Sequence, residues 1–122
     1  MKNSITINRI VTNIFSVDVE ACKPFYIDFL GLALVMDMKW ILTFASKDNP
    51  SAQLSILQFD KKGKLDNSST FLSIEVSDID KLYEKAKIQN IEIVYPITDE
   101  PWGVRRFFVK EPNGATINLL AH

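Results

Sequence analysis

Residues 5 to 17, ITINRIVTNIFSV, alternate β-branched and polar side chains and predict a strand. Asp18 then offers a helix cap, and Cys22, Phe25, Tyr26, Phe29 and Leu30 recur at helical spacing up to Gly31, which closes the helix. Pro24 fits that helix only in its first turn, where its missing N–H is not needed. Three strand-like runs follow: LALVM, WILTFA and AQLSILQF. After the polar stretch DKKGKLDNSS the order restarts. FLSIEV predicts a strand, Asp78 a cap, and Ile79, Leu82, Tyr83 and Ala86 a helical stripe; IEIVYP, GVRRFFVK and ATINLL predict three more strands.

Asp78 lies 60 residues after Asp18 in the matching place. The order of elements therefore predicts a tandem duplication of a βαβββ unit, about 5–59 and about 70–121, joined by a linker over about 60–69 within one domain spanning 1–122. The expected fold class is α+β: two tandem βαβββ units forming a curled mixed sheet around a cleft, with the helices on the outer face. Strand alternation then sorts side chains between a helix side and a cleft side.

The turn EPNG sets the register of the last hairpin. Proline second, asparagine third and glycine fourth suit a type I turn ending in a left-handed glycine bulge. Glu111 then pairs with Ala115, and Phe108 falls opposite Asn118. Arg106, Phe108, Thr116, Asn118 and Leu120 share the cleft face, whereas Phe107, Val109, Ile117 and Leu119 lie under a helix. A two-residue turn would reverse half of this assignment.

At 122 residues the chain can bury roughly two thirds of its unfolded surface. Fourteen basic and 15 acidic residues leave a net charge of −1, so no bulk field draws it to nucleic acid or to membranes. No apolar run is long enough to span a bilayer, NSITIN is not the core of a signal peptide, and a single cysteine allows no intrachain disulfide; a cytoplasmic protein is expected. Familiar catalytic constellations are missing. The one histidine is the terminal His122, Cys22 lies on an apolar helical stripe, and the four glycines at 31, 63, 103 and 114 form no phosphate-cradling loop.

PFYIDFLGL and WGVRRFFVKEPNGATINLL, in this order of elements, resemble the vicinal oxygen chelate superfamily, which includes glyoxalases, bleomycin-resistance proteins, fosfomycin-resistance enzymes and extradiol dioxygenases. The resemblance spans about Ile7 to Leu120, with Glu111 where the family's D-P-x-G turn starts with aspartate. It implies a divalent ion held by four cleft-facing side chains, whose places here are Val11, Ser55, Phe71 and Asn118. Valine and phenylalanine have no lone pairs, and a zinc or iron site needs about four good donors. A metal-free protein without a cofactor is therefore expected, nearest to the bleomycin-resistance-like branch.

The expected activity is binding of a flat or anionic small molecule, with drug sequestration as one form of it. Trp40, Phe71, Trp102 and Phe108 would supply aromatic area, while Arg106 and Asn118 would orient the ligand. Arg106 has an alternative role as a strand-end side chain with its head in water, and Arg105, on the opposite face, is expected to be exposed or to contact a partner. Relatives pair, so a homodimer is expected. The other function classes kept open are a glyoxalase- or dioxygenase-type enzyme with an atypical site, and an accessory protein using the fold as a scaffold.

Overall fold

The structure, a computed structural model, describes residues 4–60 and 63–122. The chain divides into two compact units, Met1–Asp60 and Lys61–His122. Each contains a four-stranded mixed sheet and helical structure, as the duplication predicts.

In the first unit β1 (Val11–Ser16), β2 (Ala33–Asp37), β3 (Ile41–Ala45) and β4 (Gln53–Gln58) stand in the order β1-β4-β3-β2. β1 runs parallel to β4 and the other pairs are antiparallel. The strand expected over 5–17 is shorter than its pattern. Residues 5–10 alternate as a strand does but pair with nothing as one, and Ile5, Ile7 and Ile10 are exposed. Periodicity reports only the ability to form a strand; the ladder also needs a neighbour.

The first helix also departs from expectation. Instead of one α-helix to Gly31 there is a 3-10 turn, Glu20–Cys22, and then a π-helix, Pro24–Phe29. Proline opens the second segment because it has no N–H to give to the turn before it. The wider register is carried by the bond of 3.0 Å from Leu30 N–H to Phe25 O. Asp18 Oδ1 still accepts from Ala21 N–H, at 3.4 Å. Gly31, at φ +72°, ends the segment: its N–H bonds Ile27 O, the single bond of a left-handed cap, and Leu32 N–H bonds Tyr26 O. The widened turn still buries Cys22, Phe25, Tyr26 and Phe29, and Tyr26 stacks on Phe44 at 5.1 Å.

In the second unit β5 (Phe71–Glu75), β6 (Ile93–Asp99), β7 (Arg105–Lys110) and β8 (Thr116–Ala121) repeat that order as β5-β8-β7-β6. Here α1 (Ile79–Ile88) is a regular helix, with Asp78 accepting from Lys81 N–H at 3.0 Å as its cap. Tyr83 meets Phe107 edge to face at 4.9 Å. That contact identifies the side of the sheet carrying Phe107, Val109, Ile117 and Leu119 as the helix side, and all four are buried. No helix among the described residues is long and apolar enough to cross a membrane.

Candidate functional site

The last hairpin forms as its turn residues predict. Gly114 N–H bonds Glu111 O at 3.0 Å, Glu111 N–H bonds Ala115 O at 2.9 Å, and Gly114 takes φ +94°. Phe108 then lies opposite Asn118, and Arg106 opposite Leu120. Glu111 replaces the shorter aspartate of the resemblance without loss, because its side chain folds back onto the turn. Its carboxylate accepts from Asn113 N–H at 2.6 Å, Ala115 N–H at 3.1 Å and Asn113 Nδ2 at 3.0 Å.

The parallel pairing adds β5 to the same face. Phe71 pairs with Thr116 and Ser73 with Asn118. Of the residues expected to bind ligand, Phe71, Trp102, Arg106, Phe108 and Asn118 belong to this unit. Trp40 belongs to the other, where it precedes β3 and is exposed.

Arg106 is the centre of a cluster that sequence reasoning saw only in part. Its Cζ lies 4.8 Å from the Phe108 ring centroid, 5.2 Å from Trp102 and 5.6 Å from Tyr95, all within cation–π range. Its Nε donates to Glu100 Oε2 at 2.6 Å, and the Tyr95 hydroxyl donates to the same oxygen at 2.9 Å. The Glu100 side chain is 9% exposed and that of Arg106 23%. The guanidinium is therefore neutralised and held flat among rings, rather than standing alone as an anion anchor. Its two terminal amino groups make no hydrogen bond within the described residues and remain available. The rings extend outward: Tyr95 lies 4.7 Å from Phe108, Phe108 5.2 Å from Phe71, and Phe71 and Trp102 are 55% and 63% exposed.

Glu100 and Tyr95 were missed, yet a signal for Glu100 was present. EPWG, residues 100 to 103, has the same pattern as EPNG, and it makes the same turn: Gly103 N–H to Glu100 O at 3.1 Å, Glu100 N–H to Val104 O at 2.7 Å, and Gly103 at φ +93°. The turns differ in where the glutamate points. Glu111 caps its own turn, whereas Glu100 reaches across to β7. Arg105, on the opposite side, is half-exposed and paired with Asp80 at 2.8 Å and Asp99 at 3.0 Å. The hydrogen bond that it donates to Asp80 is the main reason its pKa is raised.

The four positions where the resemblance implies metal ligands do not fit a metal. Val11 and Phe71 begin β1 and β5 and bring no donor. Ser55 faces Asn13 as Asn118 faces Ser73, so the two units share one register. The Ser55 hydroxyl bonds that of Thr43 at 2.7 Å, and Asn118 Nδ2 donates to Ser73 Oγ at 3.0 Å. Neutral hydroxyls and an amide are poor ligands for zinc or iron. Glu75, the one carboxylate on this face of β5, is exposed and lies 3.0 Å from His122 Nδ1. Among the described residues no three or more histidine, cysteine or acidic side chains group closely enough to hold an ion.

A sequence profile of the Glyoxalase/Bleomycin resistance protein/Dioxygenase superfamily matches residues 6–119. The chain belongs to this superfamily. Solved structures with the same fold include TioX from Micromonospora sp. ML1, at 15% identity, TM-score 0.78, covering 94% of this chain and 98% of that one. A superfamily member from Sphaerobacter thermophilus DSM 20745 has 20% identity and TM-score 0.78, covering 96% and 98%. A glyoxalase/bleomycin resistance protein/dioxygenase from Nocardioides has 22% identity and TM-score 0.73, covering 96% and 86%. At these identities the likeness concerns the fold. Comparison with curated proteins finds no significant match.

Proposed function

We propose that this protein binds a flat organic molecule on the non-helical face of its second sheet, without a metal ion, as a metal-free member of the superfamily close to the bleomycin-resistance-like branch. The observation that carries this reading is the ring cluster of Tyr95, Trp102 and Phe108 around a guanidinium already neutralised by Glu100. Exposed rings beside fixed polar groups give stacking area together with orientation. Phe71 extends the area and Asn118 adds a polar contact. Drug sequestration is one use of such a site, since it needs affinity and no reactive group.

The test is titration of tryptophan fluorescence with a panel of planar aromatics, in the wild type and in Trp102→Phe. Saturable quenching that Trp102→Phe removes is expected. A panel with no saturable response would overturn the reading. The alternative is a lyase or oxidoreductase of the glyoxalase or dioxygenase type with an atypical site, and elemental analysis of protein purified without chelators bears on it: stoichiometric zinc, nickel, manganese or iron would favour the enzyme. We further propose a homodimer in the cytoplasm, supported by the exposed apolar side chains Ile5, Ile7 and Ile10. Light scattering that returns one chain's mass at micromolar concentration would reject it.

A further inference from the structure

Asn113 and Gly114 form the one Asn-Gly pair in the chain. Asparagine before glycine is chemically labile, because glycine has no side chain to shield its nitrogen and its backbone turns freely. That nitrogen loses its proton, attacks the asparagine Cγ and expels the side-chain nitrogen as ammonia, closing a succinimide ring. Water then opens one of the two ring carbonyls and leaves aspartate or isoaspartate. The matching turn EPWG has Trp102 in the place of Asn113 and so carries no reactive amide.

The groups that this reaction must free are all held in the EPNG turn. Gly114 N–H, whose proton has to leave, donates to Glu111 O at 3.0 Å. Asn113 Nδ2, which has to depart as ammonia, donates to Glu111 Oε2 at 3.0 Å. Asn113 N–H donates to Glu111 Oε1 at 2.6 Å, and Asn113 O accepts from Asn67 Nδ2 at 3.0 Å, so the peptide units before and after Asn113 are both tied. Electrostatics act in the same direction. Negative charge gathers on the attacking nitrogen and then on the amide oxygen, and the Glu111 carboxylate, 3% exposed and in contact with that amide, opposes both.

We propose that Asn113 is a latent site of self-modification, kept unreactive by Glu111 and Asn67, and that opening of this turn sets the pace of its conversion to aspartate and isoaspartate. Isoaspartate carries the main chain through Cβ and adds one atom to the turn that sets the register of β7 on β8. The pairing of Phe108 with Asn118 and of Arg106 with Leu120 is counted from that turn. Conversion therefore disturbs the ring and guanidinium cluster without touching any of its side chains.

The full chain is incubated in mildly alkaline buffer, folded or unfolded in urea, and peptide mass spectrometry follows the one-dalton gain at residue 113. The folded wild type should convert about tenfold or more slowly than the unfolded chain, the population effect of first giving up a charge-assisted hydrogen bond. Glu111→Ala, checked as folded by circular dichroism, should recover most of that factor. Glu111→Gln keeps the shape of the side chain without its charge and should show a smaller rise. Gly103→Ala strains the matching turn, where φ is +93°, and leaves Asn113 alone, so its rate should stay near that of the wild type. Equal rates in the folded and unfolded wild type would overturn the proposal. So would a wild-type rate in folded Glu111→Ala, or in Glu111→Gln if the alanine variant does not fold. An equal acceleration by Gly103→Ala would also overturn it, because general unfolding would then set the pace.

Discussion

Replacing Glu100 with alanine removes the one acceptor that holds both the Arg106 Nε and the Tyr95 hydroxyl, at 2.6 and 2.9 Å. Hydrogen bonds to a charged group contribute about 1.5–3 kcal/mol, and stranding one partner of a fully buried ion pair costs about 3–5 kcal/mol. The Arg106 side chain keeps 23% of its surface in water and can rehydrate in part, so the cost of Glu100→Ala should fall near the lower of these, about 2–3 kcal/mol. With a urea m-value of about 2 kcal/mol/M for a chain of this size, the unfolding midpoint drops by roughly 1 M. Arg106→Ala loses the cation–π contacts as well, so the pair is isolated only by a double-mutant cycle with Arg106→Ala and Glu100→Ala. We expect a coupling of about 1.5–2 kcal/mol. A coupling below about 0.5 kcal/mol, the level of an exposed pair, would refute the claim that Glu100 fixes the guanidinium.

Further outcomes follow from the two hairpin turns and the surface carboxylates. Gly114→Ala meets open space around the new Cβ, so its whole cost is the positive φ of +94°, about 1–2 kcal/mol in melting or urea titration; a variant as stable as the wild type would contradict the left-handed turn. Glu111→Ala strands the Ala115 and Asn113 N–H groups and should cost about 2–4 kcal/mol, with Glu111→Asp much milder; equal losses would mean that the carboxylate does not cap the turn. The pKa values of Asp66 and Asp37 are lowered below 3.8, the first chiefly by hydrogen bonding from Ser68 and the second by Lys39 N–H. Their contribution to stability is therefore complete above that value and disappears as pH falls through the lower folded values. Carboxyl resonances titrating at or above 3.8 would rule this out.

Much of the fold was legible in the sequence because it rests on local chemistry. The repeated order of elements, the Asp78 cap and the EPNG turn each depend on residues within a few positions of one another, and backbone sterics leave them little choice. The alternation in RRFFVK and TINLL then sorted Phe107, Val109, Ile117 and Leu119 to the helix side, and it needed only the turn to set the register. Tertiary structure decided the rest. Whether residues 5–10 form a ladder depends on a partner strand, and whether Pro24 starts an α-turn or a π-turn depends on which register buries Phe25, Tyr26 and Phe29. At the site, the pattern located Arg106 on the proper face but could not reveal its charge balance. Two E-P-x-G turns of the same form send their glutamates in different directions, one onto its own backbone and one to an arginine on the next strand. That choice is made by the nearest unsatisfied donor in space, which no spacing along the chain encodes.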